Sequence, residues 1–216
     1  YEDRLSARVP EVAPVTREEY ISRFLKSVLE EGSEGYRKKL EFFNARERRG
    51  HLLYQAAFYE NACEAIGLGD YAGPMSFLGK AVEGFVMGEI ARVAETFNHD
   101  AYARLHRDKS GRLNQNDILG LCRNNGAKAR ILRAAGFGRD VGFARRMDEA
   151  LNVLHMVRIA RNDASHCDPD TEEPVDGVVE EITRERYQEI KERLFTSDTL
   201  ETMHALYLRT PQTAGR

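Results

Sequence analysis

One long apolar stripe constrains the fold of this chain more than any other feature. Between residues 140 and 157, large apolar side chains recur every three or four residues: Phe143, Met147, Leu151, Leu154 and Val157. An α-helix advances about 100° per residue, so this spacing puts all five side chains on one helix face. A stripe of this length predicts a central helix whose apolar side packs against other helices.

The first part of the chain also predicts helices. Thr16 and Glu19 form a capping-box pattern, so we expect a helix that begins there and runs to about residue 31. A second helix is expected over residues 40–49, ended by Gly50, and a third over residues 51–66. These segments predict a tail over residues 1–15 and an N-terminal helical extension over residues 16–70.

Residues 71–210 predict a larger helical domain. Pro74–Phe97 is expected to be one long helix, and Thr183 is a good N-cap for a last helix that ends near residue 206. The long helix contains three glycines, Gly79, Gly84 and Gly88. Each weakens the helix by about 1 kcal/mol but lets another helix approach closely. Because no segment alternates at period two over a useful length, the expected fold class is all-α.

Charge and composition limit the classes of function. A net charge of -3 argues against a general polyanion binder. Residues 123–161 hold nine Lys/Arg against three Asp/Glu, whereas residues 168–201 hold four against twelve. A local basic face of this kind can steer an RNA phosphate, and two solvated helix faces of opposite charge explain the pattern equally well.

Membrane and metal-centred functions find no support in the sequence. No apolar run approaches the length of a membrane span, and no Cys/His spacing indicates a zinc site. The three cysteines are widely spaced, and no signal-peptide pattern is visible. We therefore expect a cytoplasmic protein with no membrane partner, metal or cofactor.

The apolar stripe leads into a polar cluster of Arg161, Asn162 and His166. If the helix persists to His166, the guanidinium of Arg161 and the imidazole of His166 converge on one phosphate. Arginine stays protonated and offers a planar fork to phosphate oxygens, and histidine titrates near neutral pH. Asn162 would orient the histidine or bind the phosphate. These residue types suit metal-free RNA cleavage, in which the 2′-hydroxyl is the nucleophile.

This Arg-Asn-x-x-x-His pattern resembles the R-x4-6-H motif of the HEPN superfamily. The order of predicted elements over residues 74–207 is also similar to the HEPN arrangement. The resemblance implies a helical bundle of HEPN type and a metal-independent endoribonuclease, with catalytic roles for Arg161, Asn162 and His166. It further implies a homodimer whose two motifs meet at a two-fold axis, a toxin or antiviral-defence role, and an antitoxin or sensor partner. Asp168 stands where nucleotidyltransferase-paired HEPN toxins carry tyrosine, so that subtype is not expected.

Further residues are weaker candidates for the same site. Three arginines are candidate RNA-backbone contacts, with solvated surface as the alternative: Arg145, Arg146 and Arg158. Glu83 is a candidate partner for Arg161, or else a surface acid, and His155 is expected to be structural. Two rival functions remain open: a non-catalytic HEPN-like adaptor that binds nucleotide, RNA or protein, and a helical scaffold in which the motif is only structural.

Overall fold

The structure is a computed structural model that describes residues 15–166 and 181–211. Of these residues 76% are helical and none lies in a β-strand, which confirms the all-α prediction. The helices are α1 (Arg17–Lys26), α2 (Glu34–Asn44), α3 (Glu47–Ile66), α4 (Ala72–Phe85), α5 (Ala91–Phe97), α6 (His99–Ala103), α7 (Gln115–Arg123), α8 (Asn125–Ala134), α9 (Val141–His166), α10 (Arg184–Thr196) and α11 (Thr199–Leu208). A π-helical turn, Val86–Ile90, joins α4 to α5.

Helix α4 is the central element because it packs against both α3 and α9. Buried residues of the first helices, such as Phe24 and Leu53, share one hydrophobic core with Leu78, Leu154 and Leu194. Residues on both sides of position 70 therefore contribute to the same core. The apolar stripe expected over residues 143–157 is buried along α9, as its spacing predicts.

Gly79 sets the distance between α4 and α9. A Cβ at this position would overlap Cβ and Cγ of Arg161 and would lie 3.5 Å from its Cα. The expectation of a close helix approach therefore holds at Gly79. At Gly84 and Gly88 a Cβ would meet nothing within 4 Å, so these two glycines leave open space instead.

The predicted end of the second helix at Gly50 is wrong. The chain turns earlier, at Ala45 and Arg46, and Gly50 lies buried inside α3. A Cβ on Gly50 would lie 2.7 Å from Nη2 of Arg17 and 3.4 Å from the carbonyl oxygen of Phe43. Here glycine serves close packing rather than helix termination.

The predicted helix starts agree with the structure better than the predicted helix ends do. Thr16 and Glu19 form the predicted capping box, and the side chain of Thr183 accepts from the backbone N–H of Arg186. Helix α1, however, stops at Lys26, and the expected last helix is divided between α10 and α11. The division occurs because Ser197 adopts an extended backbone, and its hydroxyl lies 2.6 Å from that of Thr199.

A buried polar network ties α1, α3 and α10 together. The ammonium of Lys191 donates to both carboxylate oxygens of Glu60, at 2.6 and 2.8 Å, and to the hydroxyl of Ser27 at 2.7 Å. Tyr187 and Gln188 donate to the same carboxylate. Burial lowers the pKa of Lys191, and the carboxylate of Glu60 partly opposes that shift. Every polar atom at this carboxylate has a partner, as a buried charge requires.

Candidate functional site

A basic groove of about 1310 Å³ lies against the polar segment of α9. Its walls come from the start of α3, from α4 through α5, from residues 106–117, and from α9 and α11. Eight basic side chains line it: Arg46, Arg48, Arg49, Lys80, Arg92, Arg112, Arg158 and Arg161. Four acidic side chains also line it: Glu83, Glu89, Asp108 and Asp117. Counted over the described residues, the groove thus carries an excess of four positive charges, although the whole chain is acidic.

Arg161 lies on the α4 side of this groove. Its Nη2 lies 3.2 Å from Oε2 of Glu83, and its Nη1 donates to Oδ1 of Asn162 at 3.2 Å. Its Nε has no hydrogen-bond partner among the described residues. The Arg161–Glu83 ion pair is partly open to solvent, with 29% of the Arg161 side chain and 35% of the Glu83 side chain exposed. The guanidinium is therefore held from one side, its Nε is buried, and the remaining N–H groups of Nη1 and Nη2 keep donor capacity for a ligand.

Arg158 and Asn162 line the same groove as Arg161. The Nε of Arg158 likewise lacks a hydrogen-bond partner in the described part of the chain. Burial lowers the pKa of Arg158, and the neighbouring Arg123 adds to this, whereas Asp163 opposes it. Three of the predicted site residues, Arg158, Arg161 and Asn162, are thus brought together with the weaker candidate Glu83.

His166 is the last residue of α9. The geometric condition for the motif, an unbroken helix from Arg161 to His166, is therefore met by the backbone. The side chain of His166 lies outside the described part of the structure, as do Asp168 and the predicted helix break after it. Nearby, Asp163 forms an ion pair of 2.8 Å with Arg186 of α10, so it is not the partner of Arg161.

Arg145 and Arg146 do not line the groove. They lie near the start of α9, about 24 Å along the helix axis from Arg161. Arg145 is solvated beside Glu149, and the guanidinium of Arg146 lies 5.4 Å from the ring centroid of Phe143. The basic block of residues 123–161 therefore contributes only two of the eight basic side chains in the groove.

The surroundings of His155 disfavour the charged form of its imidazole. Burial lowers the pKa of its imidazole, and the positive charges of Arg123 and Arg158 lower it further. Its Nδ1 is buried without a hydrogen-bond partner among the described residues. A histidine that stays neutral in this way agrees with the structural role expected for it.

Sequence reasoning missed most of the opposite wall. Arg46, Arg48 and Arg49 fall in the segment that was expected to be an extension outside the site. The available signal is the basic run over residues 46–49. Its position opposite Arg161 depends on the packing of α3 against α4, which has no local sequence signature.

The opposite wall contains a second polar cluster, centred on the carboxylate of Glu89. Nη1 of Arg49 lies 3.0 Å from Oε1 of Glu89, and Nδ1 of His204 lies 2.8 Å from Oε2 of the same carboxylate. The guanidinium carbon of Arg49 stands 4.3 Å from the ring centroid of Phe42. Burial lowers the pKa of Arg49, while Glu89 opposes that shift. The π-helical turn thus presents the carboxylate of Glu89 to both Arg49 and His204.

The arrangement suits a ligand with several negative charges in a row. Free guanidinium donors along an open groove match phosphate oxygens, which accept in a planar, bidentate manner. Among the described residues no group of three or more His, Cys, Asp or Glu side chains is placed to hold a metal ion. In the same part of the chain, no helix has both the length and the apolar character needed to cross a bilayer.

No protein-family model, curated protein or solved structure matches this chain. The groove and the polar end of α9 are therefore the features that bear on its function.

Proposed function

We propose that this protein is a metal-independent endoribonuclease of HEPN type that binds RNA in the basic groove. The observation that carries the proposal is the placement of Arg161, Asn162 and Arg158 in a groove with eight basic side chains. Polyanion binding depends mainly on such clustered charge, whatever the net charge of the chain. Helix α9 continues from Arg161 to His166, so the two residues lie within about 8 Å of each other along its axis.

In the proposed mechanism, the RNA supplies its own nucleophile. The 2′-oxygen attacks the adjacent phosphorus while a base takes its proton, and the 5′-oxygen leaves as an acid protonates it. The products are a 2′,3′-cyclic phosphate and a 5′-hydroxyl. Arg161 binds the phosphate and stabilises the charge that develops on it. His166 transfers a proton, and Asn162 orients the phosphate or the imidazole.

Glu83 has a positioning role in this proposal. Its carboxylate holds one edge of the Arg161 guanidinium at 3.2 Å, and Gly79 lets the arginine stem pack against α4. The guanidinium then reaches the phosphate with little loss of side-chain entropy on binding.

A second copy of the chain would complete the catalytic set. In-line transfer needs a base and an acid on opposite sides of phosphorus, and the motif supplies one histidine. A two-fold axis beside His166 would bring two copies of the motif to one phosphate. Ile159 supports such a contact because it is a large apolar side chain, exposed on the polar part of α9. A toxin or defence role, with an antitoxin or sensor partner, rests on the HEPN resemblance alone.

The test is cleavage of a fluorogenic single-stranded RNA in the presence of EDTA. We expect cleavage by the wild type and loss of about 100-fold or more in His166→Ala, because proton transfer contributes about that much. Arg145→Ala is the matched control, since Arg145 lies on the same helix but away from the groove, and its rate should be unchanged. If RNA binds but is not cut, the protein is a non-catalytic adaptor instead. If RNA neither binds nor is cut, the protein is a helical scaffold in which the motif is only structural.

A further inference from the structure

The basic groove continues into a pair of stacked aromatic rings. Tyr59 of α3 and Phe77 of α4 have ring centroids 5.2 Å apart and planes inclined by 12°. The ammonium of Lys80, which lines the groove, lies 5.3 Å from the ring centroid of Phe77. Charge and aromatic surface therefore meet at this end of the groove.

Helix periodicity places the pair on the faces that form the groove. On α3, Tyr59 follows the groove residue Leu52 by seven positions, which is about two turns, so both project from one face. On α4, Phe77 precedes the groove residue Gly84 by seven positions, with Lys80 between them. The pair therefore lies on the order of 10 Å beyond Leu52 and Gly84 along both helices.

Packing alone does not account for the exposure of Tyr59. Tyr59 is 41% exposed although it is large and aromatic, and Gly73 of α4 lies beside its ring. The preceding residue, Phe58, is also 40% exposed, but it projects about 100° away from the groove face and packs edge-on against Tyr59, with ring centroids 5.6 Å apart. Tyr59 thus offers a rigid aromatic surface where a strand would leave the groove.

We propose that the Tyr59–Phe77 pair is a stacking platform for an unpaired nucleobase of RNA whose phosphates lie in the basic groove. The inference rests on the proposed function, and it adds a substrate class: single-stranded RNA in preference to duplex. Aromatic side chains stack on splayed-out bases of any sequence, whereas the bases of a duplex are hidden from such a platform. Lys80 would contact the phosphate between the stacked base and Arg161.

The experiment measures binding without cleavage. A 2′-O-methyl oligonucleotide of about 12 nucleotides has no free 2′-hydroxyl and so cannot be cut by the proposed chemistry; its fluorescence anisotropy reports affinity, alone and annealed to its complement. Tyr59→Leu removes the ring and keeps apolar bulk. We expect it to weaken single-strand binding about tenfold and to leave duplex binding unchanged. Tyr59→Phe should retain the wild-type affinity.

Phe58→Leu is the matched control, with the same substitution at similar exposure on the same helix; its ring contacts Tyr59 only edge-on, so its loss should reduce affinity far less than Tyr59→Leu does. Equal losses in Tyr59→Leu and Phe58→Leu, or equal binding of single strand and duplex by the wild type, would overturn the platform. A sedimentation shift from dimer to monomer in Tyr59→Leu, with RNA affinity intact, would assign the rings to a contact between copies and also overturn it. Because the probe is uncleavable, absence of ribonuclease activity leaves this result unaffected.

Discussion

Two ion pairs in this molecule join a basic side chain to a glutamate on a neighbouring helix, yet their surroundings are opposite. Lys191 and Glu60 are buried, with 0% and 6% of their side chains exposed, and further donors satisfy the carboxylate. Arg161 and Glu83 lie at the wall of an open groove, with 29% and 35% of their side chains exposed. The Lys191–Glu60 pair has all its hydrogen-bond partners within the fold. In the Arg161–Glu83 pair, the arginine has further N–H groups that can bind a ligand.

This difference separates charge that maintains structure from charge available to a ligand. When a buried pair loses one member, the other is left as an unpaired charge in the core. The loss of such a pair member therefore lowers the stability of the fold. A partly exposed pair contributes little to stability because water screens it. Its residues can therefore be replaced at small cost to the fold, which makes their effect on binding or catalysis measurable.

The largest expected effect on stability is at the buried pair. Lys191→Met should lower the free energy of unfolding by about 3–5 kcal/mol, because the carboxylate of Glu60 is left buried without its cation. Urea denaturation followed by circular dichroism measures the loss. Adding Glu60→Gln should restore part of it. A loss within about 1 kcal/mol would mean that the network is more hydrated than its burial indicates.

The corresponding change at the groove should affect activity instead. Arg161→Met should reduce kcat/KM on single-stranded RNA about 100-fold, because one donor to the developing phosphate charge is lost. Unfolding free energy should change by about 1 kcal/mol or less. Arg145→Met serves as the control on the same helix. Large destabilisation with normal turnover in the folded fraction would make Arg161 structural.

A matched pair of glycines tests the helix contact that positions Arg161. Gly79→Ala should destabilise the fold by about 1–3 kcal/mol, since its Cβ would overlap the stem of Arg161. Gly84→Ala should be neutral or should stabilise by up to about 1 kcal/mol, because space is open there and alanine favours the helix. Thermal unfolding of both variants checks the contrast. Similar effects at the two positions would argue against close α4–α9 contact.

The smallest effect concerns His155. Its pKa is lowered, chiefly by burial, so the folded state takes up a proton less readily than the unfolded chain. Its contribution to stability is therefore fully present above about pH 6.5 and is lost as the pH falls from there through the lower pKa of the folded state. In His155→Gln the unfolding free energy should depend less steeply on pH between about 5 and 7, and the pH–rate profile should not move. An unchanged slope would contradict the burial of the imidazole.

The elements that depend on local pattern could be predicted from sequence. The stripe from Phe143 to Val157 predicted α9, and the Thr16 and Thr183 caps marked two helix starts correctly. The predicted helix end at Gly50 was wrong because glycine both ends helices and permits close packing. Only the neighbouring Arg17 and Phe43 decide which of the two roles applies here. Nothing local distinguishes these two uses.

The groove could be predicted only on its α9 side. Arg158, Arg161 and Asn162 share a helix, so periodicity groups them, and Glu83 was a candidate partner because a long helix precedes the motif. The opposite wall joins Arg49 to Glu89, which are 40 positions apart in sequence and meet only through helix packing. The exposure of Tyr59 likewise depends on how α3 and α4 align.

The most direct test of the central claim is the chemistry of the RNA ends. A single-stranded RNA is incubated with the wild-type protein in EDTA, and the products are resolved by mass spectrometry. Attack by the 2′-hydroxyl at a phosphate held by Arg161 predicts a 2′,3′-cyclic phosphate upstream and a 5′-hydroxyl downstream, with no requirement for Mg²⁺. Downstream products that carry a 5′-phosphate, or cleavage that needs Mg²⁺, would contradict the account.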